Sequence, residues 1–313
     1  MMSPDLFYCS EESRRHGEKR YGTASVGDTW LLVEYPHFWG PKAIHDSALL
    51  PAVKNHLSLI LKTVPRTRVL FIKQDRRMTD APSLFIVRCR ERNPAIYRTK
   101  LESYGRLLDF DLPSLIAGAG WGDAKPFDGP LYLVCTHGRR DKCCAKFGYP
   151  IFKALRSERR NAVWQSSHVG GDRFAANLIC FPHGLFHAHV TAESGRAIMD
   201  QYEAGRLVMQ SYRGRSCYSY PVQAAEFFVR TESGINEIDA LRYHDCARLD
   251  ERTWRASFKT PADGRVYEAK IVRVMSEFLS HHTCHSSGEK SVAQYVLADY
   301  RETGREGEET GRL

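Results

Sequence analysis

Two short polar segments of the sequence concentrate cysteine and histidine. The first runs Cys135-Thr-His-Gly-Arg-Arg-Asp-Lys-Cys-Cys144, and the second runs His168-Val-Gly-Gly-Asp-Arg-Phe-Ala-Ala-Asn177. Thiolates select zinc, copper(I) or iron–sulfur clusters, whereas imidazole suits zinc and iron. The pattern therefore predicts a metal or iron–sulfur site and argues against calcium or magnesium.

The two end cysteines of the first segment lie where ligand residues are expected. Residues 131–134 predict a buried strand, so Cys135 follows its carboxyl end, which faces the usual binding crevice of an α/β sheet. Cys144 lies on the same polar loop, and Arg139 and Arg140 would favour thiolates and offset the charge of a cluster. A small buried hydrophobe is the simpler interpretation of Cys89, Cys217 and Cys246.

The second segment offers an imidazole on a loop of free backbone. His168 follows a strand predicted over residues 163–166, and Gly170 and Gly171 let the backbone approach a bulky inorganic group. Asp172 has two interpretations that the sequence leaves open, a metal ligand or the N-cap of a short helix. Arg173, the next residue, is expected to lie beside the ligands without binding the metal, as are Arg139, Arg140, Gly170 and Gly171.

Composition describes a globular chain with an attraction to acidic partners. Its 313 residues exceed one usual domain, and hydrophobic residues make up 42% and charged residues 26%. The formal charge of +8 suits an acidic redox protein, but the Lys and Arg are scattered, which argues against nucleic-acid binding. No membrane span or secretory signal is apparent, so we expect a cytoplasmic protein whose nine cysteines serve metal or redox chemistry.

The order of predicted elements suggests a duplication within a mixed α/β (α+β) fold. Residues 126–218 predict strand, helix, strand, short helix, two strands and helix, the order of a thioredoxin-like fold. Residues 1–125 predict a degenerate copy, with an irregular arm over 1–25 and a linker over 117–130. Residues 219–313 predict a small α+β region that contains a helix over 224–231, strands over 252–259 and 265–274, a helix over 291–300 and a disordered tail.

The two polar segments together resemble the sucrase/ferredoxin-like family, relatives of the thioredoxin-like [2Fe-2S] ferredoxins. The resemblance extends from Gly22-Thr-Ala24 to Gln223-Ala-Ala225 and so covers most of the chain. It implies that residues 126–218 form a ferredoxin domain with a [2Fe-2S] cluster, and that the protein transfers electrons or maintains redox balance. A reductase or acceptor protein is the implied partner.

The same resemblance implies a ligand set with one departure. In the branch that this chain resembles, two Cys separated by eight residues bind one iron, and two His of an H-x-G-G-H element bind the other. Cys135, Cys144 and His168 match, whereas Asp172 stands in place of the second His. The fourth ligand is then Asp172 itself or a cysteine brought close by the fold, with the reserve candidates Cys143, Cys180 and Cys284.

Other functions remain as alternatives. A structural zinc site on Cys135, Cys144, His168 and Asp172 suits tetrahedral ligation. A thiol-disulfide oxidoreductase fits the order of elements, although no C-x-x-C motif exists. Glycoside hydrolysis would need two carboxylates that face each other across a sugar site, and no such pair stands out in the sequence. A nucleotide-binding motif is also absent from the sequence. The remaining clustered histidines are interpreted mostly as polar surface residues: His183, His187, His189, His281, His282 and His285.

Overall fold

Two sheets contain every strand of the described chain. The computed structural model describes residues 7–74, 81–111 and 123–304. Within these ranges the α-helices are α1 (Cys9–Arg15), α2 (Pro51–Thr63), α3 (Tyr149–Glu158), α4 (Ala192–Glu203) and α5 (Tyr220–Ser233). The strands are β1 (Thr29–Glu34), β2 (Thr67–Lys73), β3 (Ser83–Arg88), β4 (Ala95–Lys100), β5 (Lys125–Pro126), β6 (Leu131–Cys135), β7 (Val163–Ser166), β8 (Leu178–Phe181), β9 (Leu185–His187), β10 (Tyr212–Arg215), β11 (Arg242–Arg248), β12 (Thr253–Lys259), β13 (Val266–Ser280) and β14 (Lys290–Thr303).

The larger sheet contains the same four-stranded pattern twice. Its order is β10-β9-β8-β6-β7-β2-β1-β3-β4-β5. In the first half β1 pairs in parallel with β2 and antiparallel with β3, which pairs antiparallel with β4. In the second half β6, β7, β8 and β9 repeat these directions. The predicted mixed α/β class with thioredoxin-like strand order is therefore confirmed, whereas the predicted domain boundaries stay predictions.

The two halves join through a short seam. Strand β2 pairs antiparallel with β7 over two residue pairs, Ile72 with Ser166 and Lys73 with Gln165. Next to them, Ser167 donates its backbone N–H to Phe71 O at 2.8 Å and accepts the backbone N–H of Phe71 on its hydroxyl at 3.0 Å. The seam thus ends one residue before His168.

The larger sheet is strongly curled around a core that both halves share. Three strands lie between β1 and β8, which would separate these two by about 19 Å in a flat sheet. Instead, the rings of Trp30 on β1 and Phe181 on β8 have centroids 5.5 Å apart. Leu32, Phe85 and Leu133 belong to the same buried cluster. One hydrophobic core is therefore built by side chains of both halves.

Each half covers its other face with its own helices. Helix α2 packs Val53 and Leu57 against Leu31 and Val33 of β1, and α3 and α4 cover β6 around Val134. Burial on both faces explains why β1 and β6 have continuous apolar sequences and no polar alternation. A capping box of Thr191 and Ser194 begins α4.

The C-terminal region corrects one sequence prediction. Helix α5 packs on the four-stranded antiparallel sheet β11-β12-β13-β14. The helix predicted over residues 291–300 is wrong, because these residues belong to β14, which pairs with the long strand β13 from Val266 to Ser280. Hydrogen bonding along a long partner strand overrides local helix propensity here. The tail beyond residue 304 and the linker residues 112–122 lie outside the described residues.

The N-terminal arm and the hairpin histidines also differ from expectation. Residues 9–15 form helix α1 instead of an irregular arm, and residues 1–6 lie outside the described residues. His187 is buried on β9 and its Nδ1 lies 2.9 Å from the Ser211 hydroxyl, so it is not a surface residue. No helix of the described chain has the length and apolar composition needed to cross a membrane.

Candidate metal centre

The carboxyl ends of two parallel strands bring the first two candidate ligands together. Cys135 is the last residue of β6 and pairs in register with Ser166, the last residue of β7. His168 follows two residues later. Because β6 and β7 are parallel neighbours, both chains leave the sheet at the same edge. The sulfur of Cys135 and the ring of His168 therefore meet, although the two residues are 33 apart in the sequence.

Cys144 reaches this edge from the start of the next helix. It begins a π-helical turn over Cys144–Gly148 that runs directly into α3. A Cβ on Gly148 would lie 2.0 Å from the carbonyl oxygen of Cys135. Only glycine therefore allows this turn to pack against the end of β6. The close approach places Cys144 beside Cys135.

A buried histidine fixes the backbone of His168. His137 accepts the backbone N–H of His168 on Nδ1 at 3.1 Å, and its Nε2 lies 2.8 Å from the carbonyl oxygen of Gly40. The first bond makes Nδ1 an acceptor, so Nε2 donates to Gly40 and the ring is neutral. Burial lowers the pKa of His137, which agrees with that state. Sequence analysis did not assign this role, although His137 lies within the first motif.

A buried arginine holds the loop that leads to Asp172. Gly170 and Gly171 have φ of +91° and +80°, and a Cβ on Gly171 would lie 2.4 Å from Nη2 of Arg213. Arg213 donates to the Gly170 carbonyl oxygen at 3.2 Å and to Asn177 Oδ1 at 2.7 Å. The predicted freedom of the glycine pair is therefore used for packing against Arg213. Asp172 then begins a 3₁₀ turn that ends at Phe174.

The four predicted ligand residues form one buried group. The ligand atoms of Cys135, Cys144 and His168 all lie within 4.8 Å of one another. Asp172 Oδ1 lies 3.4 Å from Cys144 Sγ and 3.1 Å from His168 Nδ1. His168 Nδ1 is nevertheless buried without a hydrogen bond to any described residue. The group thus contains an unsatisfied nitrogen beside two sulfurs and a carboxylate.

The protons of this group are shared unequally. A hydrogen bond with Cys144 holds the pKa of Cys135 well below its ordinary value, and the same contact raises the pKa of Cys144. Burial is the largest influence on His168 and opposes its charged form, but the hydrogen bond to Cys135 and the negative charges of Cys135 and Asp172 together raise its pKa. Burial raises the pKa of Asp172. Such buried anions are favoured next to a cation, so the donor set suits a metal.

The three arginines predicted to lie around the site have different surroundings. Arg140 is exposed, and its charge acts on both His168 and Asp172. Arg139 lies over the ring of Phe38, 5.7 Å from its centroid. Arg173 turns away and pairs with Glu18 at 2.5 Å.

The reserve cysteines lie elsewhere. Cys180 is buried on β8 among the apolar side chains under α3 and α4. Cys143 and Cys284 join Cys9 and Asp141 in a separate group. Sequence analysis did not anticipate Cys9, because only the fold brings helix α1 to this loop.

A basic cleft borders the loop that follows Cys135. Its volume is about 960 Å³, and Thr136–Arg139 form part of its wall. Among the described residues its lining contains five cationic side chains and no carboxylate. The cations are Lys73, Arg139, Lys153, Arg156 and Arg160. The cleft therefore presents positive charge next to the candidate metal centre.

Comparisons with known proteins agree with the motifs. The sucrase/ferredoxin-like family model matches residues 20–214. Altered inheritance of mitochondria protein 32 from Saccharomyces kudriavzevii is 28% identical over 28% of this chain and 34% of its own length. Its Saccharomyces cerevisiae counterpart is 28% identical over 26% of this chain and 31% of its own length. The chain therefore spans about a third of the length of these relatives.

A solved structure was also found. It is a cysteine-to-serine variant of the thioredoxin-like [2Fe-2S] ferredoxin from Aquifex aeolicus, with a TM-score of 0.25 and 12% identity over 27% of this chain and 97% of that chain. The family match covers well over half of the chain and includes both polar segments. The chain belongs to the sucrase/ferredoxin-like family.

Proposed function

We propose that this protein transfers electrons through a [2Fe-2S] cluster bound by Cys135, Cys144, His168 and Asp172. The observation that supports this most directly is the meeting of the first three ligand atoms within 4.8 Å at one buried sheet edge. Family membership supports it independently, because both motifs of the resemblance fall inside the matched residues.

The donor set fits such a cluster. Thiolates are the common ligands of iron–sulfur clusters, and imidazole replaces them at one iron in clusters of higher potential. The buried Nδ1 of His168, which lacks a hydrogen bond among the described residues, is available for ligation. A bound cluster would supply reversible one-electron chemistry. The chain would supply the buried anionic ligands, the nearby positive charge of Arg140, and the hydrogen bond from His168 N to His137 that fixes the loop.

Asp172 would lower the reduction potential of the cluster compared with that of a relative with two histidine ligands. A carboxylate adds a negative charge where imidazole is neutral, and added negative charge favours the oxidised state. We therefore propose a lower reduction potential for this chain than for its Asp172→His variant. His168 would link the potential to pH if its second nitrogen exchanges a proton with solvent.

The proposed partner is an acidic redox protein that docks at the basic cleft. Five cations and no carboxylate line the described part of this cleft, and its wall includes residues that directly follow Cys135. Complementary charge accelerates association and weakens with added salt. Docking there would place the partner beside the metal centre.

The test is the spectrum and composition of protein purified without oxygen. We expect visible absorption bands, an EPR signal on reduction, and about two irons and two acid-labile sulfides per chain. Cys144→Ser is expected to lose the iron. Cys180→Ala, which removes an equally buried thiol outside the group, is expected to keep it. Asp172→Ala should shift or abolish the EPR signal.

Two results would contradict the proposal. A colourless protein with zinc bound by Cys135, Cys144 and His168 would indicate a structural metal site, which the same compact donor set also suits. A colourless, metal-free protein with a Cys135–Cys144 disulfide would indicate thiol-disulfide chemistry.

A further inference from the structure

We propose a second metal site, separate from the first, in which Cys9, Cys143, Cys284 and Asp141 bind one zinc ion. Three distant parts of the chain meet there: the first turn of α1, the loop before the π-helical turn, and the connection between β13 and β14. The ligand atoms of all four residues lie within 4.8 Å of one another. The site goes beyond the proposed electron-transfer function.

The three sulfurs already form the face of a tetrahedron. Cys9 Sγ lies 3.6 Å from Cys143 Sγ and 3.5 Å from Cys284 Sγ, and the last two sulfurs are 3.3 Å apart. Tetrahedral zinc with Zn–S bonds of about 2.3 Å requires sulfurs about 3.8 Å apart. A spread of a few tenths of an ångström would admit the ion. All three cysteines are free thiols.

Asp141 fixes two of the ligands before any metal binds. One carboxylate oxygen accepts the backbone N–H of Cys143 at 2.9 Å, and the other accepts that of Cys284 at 2.7 Å. Each carboxylate oxygen has a further lone pair, so Asp141 can bind zinc without losing either bond. Ser10 also directs its backbone N–H at Cys143 Sγ, at 3.5 Å. Backbone N–H groups that would orient a thiolate and the carboxylate are thus already in place.

Burial without a cationic partner argues against a merely structural role for Asp141. Its side chain is fully buried, and the partners that hold it are the uncharged backbone N–H groups of Cys143 and Cys284. A buried carboxylate is costly unless a positive charge accompanies it. A divalent cation among three thiolates supplies that charge. The mixture of thiolates and one carboxylate favours zinc over copper(I), which prefers sulfur ligands alone.

The site would connect parts of the chain that the family match does not include. Cys9 and Cys284 lie outside residues 20–214, whereas Cys143 and Asp141 lie inside them. Cys143 also directly precedes Cys144 of the first centre. On binding, zinc replaces three thiol protons, which pass to the solvent, and forms three Zn–S bonds and one Zn–O bond. Zinc would therefore tie helix α1 and the β13–β14 connection to the loop of the first centre.

The experiment measures zinc and its ligands in the full-length protein. Zinc is supplied during expression, the protein is purified without oxygen, and zinc content is measured beside zinc K-edge EXAFS. We expect about one zinc per chain with about three sulfur neighbours and one lighter neighbour. Cys9→Ala and Cys284→Ala should reduce the zinc content to near zero. Cys246→Ala, a half-buried thiol on β11, is the matched control and should retain zinc.

Each other outcome overturns the proposal. Zinc with two sulfur neighbours, lost in Cys144→Ser but kept in Cys9→Ala, would place the ion at the first centre. A disulfide among Cys9, Cys143 and Cys284 in the anaerobic protein, or zinc below about a tenth of an equivalent, would exclude the site. Iron content separates this test from the test of the proposed function, because Cys9→Ala should lose zinc and keep iron. EXAFS on the wild type gives a result even if a variant fails to fold.

Discussion

Replacement of Arg213 should destabilise both the fold and the proposed metal centre of Cys135, Cys144 and His168. Arg213 on β10 is buried and donates to Thr23 O, Thr23 Oγ1, Gly170 O and Asn177 Oδ1. Burial lowers the pKa of Arg213 to about 9, so keeping this side chain charged in the interior costs free energy. The guanidinium offsets this cost because it satisfies four acceptors at once, one of them buried and three part-buried.

The size of the effect follows from those acceptors. Arg213→Met keeps the aliphatic part of the side chain and removes the donors, so one buried and three part-buried oxygens lose a partner. Each unsatisfied group costs about 1–3 kcal/mol, and loss of the poorly solvated charge offsets part of the total. We expect the free energy of unfolding to fall by about 2–4 kcal/mol. Because Gly170 precedes Asp172 by two residues, the ligand loop should also loosen.

The assay combines urea unfolding with release of iron to a chelator. Arg206→Met provides the control, because Arg206 is exposed. Its free energy of unfolding should stay within about 0.5 kcal/mol of the wild type. Faster iron release from Arg213→Met than from Arg206→Met would support the link to the loop. A loss of stability below about 1 kcal/mol, with unchanged iron release, would refute the argument.

Three further predictions concern pH, potential and the partner. Burial lowers the pKa of His187 to about 3, so below its unfolded value of about 6.5 only the unfolded chain binds this proton. Stability should thus fall as pH drops from about 6.5 towards 3, by up to about 1.4 kcal/mol per pH unit for this residue. For His187→Gln, the slope of the free energy of unfolding against pH, measured by urea unfolding between about pH 7 and 4.5, should be smaller by about one proton. An unchanged slope would contradict the neutral, buried state of His187. In a redox titration, Asp172→His should raise the reduction potential by on the order of 100 mV, and a lowered potential would exclude Asp172 as a ligand. Reversing the charge of Lys153 or of Arg160 should slow electron transfer to an acidic partner at low salt, whereas Lys270→Glu, on β13 and outside the lining of the cleft, should not. Equal rates for all three variants would remove the cleft from the docking surface.

Local sequence patterns predicted the elements whose residues are buried together. Apolar runs identified β1 and β6 because strands covered on both faces have no polar alternation. The two motifs predicted the grouping of Cys135, Cys144 and His168, and Cys135 and His168 meet because parallel strand ends share an edge. In these places local composition and tertiary environment agree.

Features that depend on distant contacts were not predictable in the same way. Residues 291–300 form a strand only because β13 provides a partner for them. Cys9 and Cys284 are far apart in sequence and meet only after α1 and the β13–β14 connection reach Asp141. His137 resembles a candidate ligand in sequence, but its two ring nitrogens are used by Gly40 and His168 N.

The shared core has a consequence for how this chain can evolve. At the end of β1, Glu34 occupies the position that Cys135 has at the end of β6, so the first half does not repeat the cysteine ligand. Yet Trp30 and Phe85 of that half lie in the same buried cluster as Leu133 and Phe181 of the other. Deletion of the first half would expose that apolar face to water. The first half, which does not provide this ligand, is therefore still required, because it forms half of the interior on which the candidate metal centre rests.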